Sequence, residues 1–62
     1  MPRYREIKGN VHYVQIACYR LKFIAEGYAV TLRDGFTTYV DIQVVEEKGG
    51  WWCVYGLPKM FA

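Results

Sequence analysis

Sixty-two residues, 53% hydrophobic and 18% aromatic, make one domain (1–62) and exclude both a second domain and a disordered chain. Two cysteines are too few for the dense disulfide framework of a small secreted fold, and with no signal or membrane-length segment visible the chain reads as cytoplasmic, with both cysteines reduced. The net charge of +2 is unevenly placed: residues 1–33 carry six Lys/Arg against two Glu, and residues 34–62 carry two Lys against four Asp/Glu.

Tyr4-Arg5-Glu6-Ile7-Lys8 reads as a short edge strand. A helix is predicted next, opened by Asn10 as cap and closed by Gly27. Val14, Ala17, Cys18, Leu21, Ile24 and Ala25 recur at helical spacing and form its core stripe. Strand alternation over the same stretch would bury His12, Arg20 and Lys22 beside Val14, Ile16 and Cys18.

Two strands follow in this reading, Tyr28–Arg33 and Phe36–Val45, joined by a three-residue loop at Arg33-Asp34-Gly35. That loop pairs Leu32 with Phe36, Val30 with Thr38 and Tyr28 with Val40, and so keeps the apolar faces together. A second hairpin turns at Lys48-Gly49, or more loosely at Glu47–Gly50, and either reading sets Val44 opposite Cys53 and Ile42 opposite Tyr55. Trp51 then belongs to the core face, and Trp52 pairs with Val45 on the other side. The expected fold class is α+β, one helix on a small, mainly antiparallel sheet of three to four strands in the order β-α-β-β-β.

This arrangement leaves apolar surface uncovered in two places. Ile16, Tyr19 and Phe23 form a row on the outer side of the predicted helix, extended by His12. Tyr39, Val45, Trp52 and Val54 lie on the sheet face away from the helix. The tail at Leu57–Phe61 and the N-terminal Tyr4 and Ile7 are the segments available within the chain to cover them. A domain this small also gains from oligomerisation.

Catalytic signatures are missing. The chain has no serine, and its single histidine, His12, has no visible partner. Cys18 and Cys53 read as buried small hydrophobes, and Asp41, Glu46 and Glu47 as solvated strand-end charges. No glycine-rich phosphate loop, metal-ligand spacing, cofactor motif, signal or membrane-length apolar run is present. The expected function is therefore a non-enzymatic protein-interaction module of adaptor, inhibitor or regulator type, self-associating or bound to a protein partner, with no membrane or small-molecule substrate. The alternative is nucleic-acid binding by Arg3, Arg5, Lys8, Arg20 and Lys22 with the sheet aromatics Tyr39 and Trp52, opposed by the charges of Asp41, Glu46 and Glu47.

Overall fold

The computed structural model describes residues 2–35 and 38–62. It is an α+β fold, one helix against a four-stranded antiparallel sheet. In chain order the elements are β1 (Tyr4–Ile7), β2 (Asn10–Tyr19), α1 (Lys22–Asp34), β3 (Tyr39–Glu47), β4 (Trp51–Pro58) and a 3-10 turn at Lys59–Phe61. The sheet runs β1-β2-β4-β3, so the first and last hairpins meet through their second strands. β1 is the expected edge strand. Among the described residues no helix is long and apolar enough to cross a membrane.

The element order differs from the expected one, and the helix is displaced along the chain. The stretch after Asn10 is a strand, and the helix begins at Lys22. The reason lies in a bulge on β2. Its register against β4 shifts between Gln15 and Ala17, which inserts Ile16 as an extra residue. Val14 and Ala17, three apart, thereby share the helix-facing side, opposite Gly56 and Val54. Arg20 and Lys22, whose burial argued against a strand, lie beyond its end. Asn10 opens β2 rather than capping a helix, and its side chain accepts from the His12 backbone N–H at 2.8 Å.

The expected strand Tyr28–Arg33 belongs to α1, so its pairings with Thr38 and Val40 do not form. Phe36, assigned to pair with Leu32, lies outside the described residues. Gly35 follows the helix with φ −93°, outside the left-handed region that a three-residue hairpin loop needs at its glycine. Gly27 sits inside the helix.

Two clusters fill the two faces of the sheet. Ala25 and Ala29 of α1 are fully buried against Ile42 and Val54, with Ile16, Tyr19, Tyr28, Leu32, Tyr39, Val44 and Trp52 packed around them. The two alanines let the helix come close to the sheet, and this contact holds a helix with no side-chain cap and a glycine at its centre. On the far face, Tyr13, Cys53, Tyr55 and Leu57 are buried with Ile7, Cys18 and Val45 beside them.

The β3–β4 register is one residue away from the expected one. Lys48, Gly49 and Gly50 form a three-residue loop, with both glycines left-handed at φ 81° and 78°. Val44 therefore faces Val54, Val45 faces Cys53 and Glu46 faces Trp52. A one-residue slip exchanges the two faces of a strand. Trp52 and Val54 thus lie under the helix, and Trp51 is the tryptophan on the open face.

Candidate functional site

On the helix side, the outward row of α1 consists of Phe23, Gly27 and Val30, spaced by four and three residues. Phe23 is 67% exposed and Val30 51%. Leu21 and Ile24 are exposed beside them. A Cβ added at Gly27 would meet nothing within 4 Å. Of the expected helix-face residues, only Phe23 belongs to this surface. Ile16 and Tyr19 are on β2, packed into the core beneath α1.

The expected sheet-face patch does not assemble. Tyr39, Trp52 and Val54 pack under the helix, whereas Val45 lies on the far side with Cys53. The open face carries a different set of residues. Cys18 and Cys53, directly opposite on β2 and β4, form a disulfide between central strands. The expectation of two reduced thiols, which followed from the cytoplasmic reading, is corrected here: strand pairing brings the two cysteines together as a disulfide.

Around the disulfide lies a groove of about 570 Å³. Arg3, Tyr4 and Arg5, in and beside β1, line one side of it; Lys48 and Trp51 of the β3–β4 hairpin line the other. Gln15, Tyr55 and the disulfide lie between, on the central strands. The Arg20 guanidinium stacks 4.0 Å from the Trp51 ring centre and donates to the Gly49 carbonyl, which fixes the indole beside the groove.

The carboxylates of this face are engaged rather than simply solvated. Tyr55 Oη donates to Glu47, and Arg5 Nη1 reaches the other oxygen of Glu47 at 3.2 Å. Gln15 Nε2 donates to Tyr55 Oη at 3.2 Å. Burial, and then the bond to Glu47, push the Tyr55 phenol above its ordinary pKa. Further along, Tyr13 Oη donates to Asp41, which Gln43 Nε2 also contacts at 3.0 Å and Lys8 Nζ at 3.9 Å. Burial alone would raise the Asp41 pKa, but the bonds from Tyr13 and Gln43 outweigh it and hold the carboxyl below its usual value. The same hydrogen bond to Asp41, followed by burial, pushes Tyr13 up to about 12.

The structure therefore divides the expected basic set. Arg3 and Arg5 line the groove, and Arg20 supports it. Lys8 is paired with Asp41 instead. Lys22 lies on the helix side, 3.9 Å from Glu26 and over Trp52. Tyr4, Lys48 and Trp51 are groove residues that the sequence reading missed. The three-residue reading of the Lys48-Gly49-Gly50 turn would have set Trp51, Cys53 and Tyr55 on the face away from Ile42 and Val44.

The C-terminal tail, available to cover an apolar patch, folds back against the start of β2 instead. Phe61 stacks on His12 with ring centres 4.1 Å apart, and the Asn10 amide donates to the Phe61 carbonyl at 3.1 Å. Neither the outer face of α1 nor the groove is lined by it. No family model matches the chain, and comparison with characterised proteins and with solved structures finds no significant match.

Proposed function

We propose that this chain is a small non-enzymatic protein-interaction module, of adaptor, inhibitor or regulator type, that self-associates through the outer face of α1. One observation carries the reading: Gly27 stands at the centre of the apolar row formed by Phe23 and Val30, with open space where its side chain would be. A helix-interior glycine costs about 1 kcal/mol relative to alanine. No contact within the described chain requires it, whereas close approach of a second helix does. Across a two-fold axis, two antiparallel copies of α1 bring Gly27 against Gly27 and Phe23 towards the partner copy's Val30. The added burial supplies the stability that a domain of this size lacks.

A catalytic role has little support, because the carboxylates beside the buried tyrosines are already held by Tyr13, Gln43, Arg5 and Tyr55. The cytoplasmic expectation loses one of its supports to the Cys18–Cys53 disulfide, since such bonds are rare where thiols are kept reduced. Sedimentation equilibrium tests the reading. The wild-type chain should be a dimer at micromolar concentration, and Phe23→Glu a folded monomer. A wild-type chain that stays monomeric at high concentration removes this proposal.

A further inference from the structure

The groove on the open face is independent of the helix and has its own chemistry. Three cations, Arg3, Arg5 and Lys48, surround it, with one carboxylate, Glu47, in its lining. That carboxylate is neutralised by Arg5 at 3.2 Å and bonded by Tyr55. The other two acidic groups that oppose an anionic ligand are also removed from play. Asp41 is held by Tyr13, Gln43 and Lys8, and Glu46 faces Trp52 on the helix side of the sheet. The uncompensated charge at the groove is therefore positive, carried by Arg3 and Lys48. Next to those cations stands one exposed aromatic ring on the same face, Trp51, 39% exposed; Tyr4 is paired with Val14, so its ring points to the other side of the sheet. Trp51 is fixed in place by the Arg20 guanidinium on its ring.

Cations spaced around an open sheet face, with an exposed indole among them, match a polyanion that also carries flat aromatic groups. We propose that this groove binds single-stranded nucleic acid. Arg3 and Lys48, with Arg5 in part, contact backbone phosphates, and Trp51 provides the stacking surface for unpaired bases. Single strands fit better than duplex, because stacking on Trp51 needs a base free of its partner. The Arg20–Trp51 pair acts before the ligand arrives: it holds the indole in one orientation, so less side-chain freedom is lost on binding.

The test is fluorescence anisotropy of a labelled oligothymidylate titrated with the intact protein at several salt concentrations. Affinity should fall with salt along a log–log slope of about −2, as expected for about three phosphate contacts on a single strand. Arg3→Gln combined with Lys48→Gln should reduce that slope by about 1.4. Trp51→Ala should weaken binding about tenfold at fixed salt, and Trp51→Phe should retain most of it, because a ring remains to stack on. Circular dichroism of each variant separates loss of binding from loss of fold. If Trp51→Ala does not fold, the Arg3/Lys48 variant and Trp51→Phe still decide. Phe23→Glu should bind the oligonucleotide as the wild type does, so failure of the helix interface and failure of the groove are distinguishable. Absence of any anisotropy change at low salt overturns the proposal. So does binding that ignores salt. Polyglutamate displacing the oligonucleotide as well as unlabelled oligothymidylate does overturns it too, by reassigning the groove to an acidic protein segment.

Discussion

The ring of Tyr39 lies across Gly56: a Cβ built on that glycine would stand 2.6 Å from Tyr39 Cδ1 and 2.9 Å from Ile16 Cδ1. A bulge at Val40 makes this contact. The β3 register shifts between Tyr39 and Asp41, which brings Tyr39 opposite Pro58 on the helix side and leaves Asp41 on the open side to meet Tyr13. Gly56→Ala should therefore cost about 1–3 kcal/mol, as overpacking of a tight core does. Urea unfolding measures it. Pairing Gly56→Ala with Tyr39→Leu should recover part of the loss, because the side chain in the way is then smaller and more flexible. A Gly56→Ala variant as stable as the wild type would mean that the ring and Ile16 move aside freely.

The Cys18–Cys53 disulfide joins residues 35 apart in sequence. A cross-link closing a loop of that length stabilises by about 3–4 kcal/mol in the chain-entropy account. In a 62-residue domain that is a large share of the total. Cys18→Ala with Cys53→Ala should lower the urea midpoint accordingly, and a thiol reductant should do the same to the wild type while leaving the variant unaffected. Equal midpoints with and without reductant would show that the bond contributes nothing.

The Tyr13–Asp41 pair sets a pH dependence with two arms. Tyr13 is raised to about 12 in the folded chain, against about 10 for an unperturbed tyrosine. The folded state keeps a proton there that the unfolded state releases, so stability is complete below pH 10 and declines as pH rises from 10 to 12. Asp41 works in the opposite sense. Its carboxyl is held below the usual value, so its contribution is present above the unfolded pKa and is lost as pH falls through the folded one. Tyr13→Phe should flatten the alkaline decline and remove one late-ionising phenol from the ultraviolet titration. Tyr55, raised by burial and then by its bond to Glu47, should remain as another late one. Unchanged alkaline stability in Tyr13→Phe would separate the bond from the pH dependence.

What could be read from the sequence, and what could not, follows from two local irregularities. Fold class was legible, because one amphipathic helix and several alternating runs in 62 residues admit few layered arrangements. The edge strand at Tyr4–Ile7 was legible as well. The position of the helix was not. The extra residue at Ile16 breaks the period of two and leaves Val14 and Ala17 three apart, the spacing of a helix. The true helix, in turn, contains Gly27, Val30 and Thr31, and its burial depends on two alanines that carry little hydrophobic signal. For the groove, Arg3 and Arg5 were visible as a basic arm. Trp51 was not, because one additional residue in the Lys48–Gly50 turn reversed both tryptophans. A disulfide between two lone cysteines has no spacing signature and appears only once β2 and β4 are paired.

Gly27 is the position where fold and assembly make opposite demands, and that makes it the sharpest test of the helix surface. Within one chain the site is open and its backbone is helical, so a side chain is accommodated without a clash. Gly27→Ala should raise the stability of the monomeric state by about 1 kcal/mol, the difference in helix propensity. Gly27→Leu should also keep the fold, since leucine is nearly as good a helix former as alanine. In a dimer the same leucine would hold two helices apart at their closest approach and lift Phe23 from the facing Val30. Gly27→Leu should therefore yield a folded monomer under conditions in which the wild type is dimeric, with Gly27→Ala between them. Sedimentation equilibrium and far-ultraviolet circular dichroism on the same samples separate assembly from folding. A Gly27→Leu chain that unfolds would show that the space beside Gly27 is needed by the chain itself. One that remains dimeric would place the interface away from the Phe23–Gly27–Val30 row.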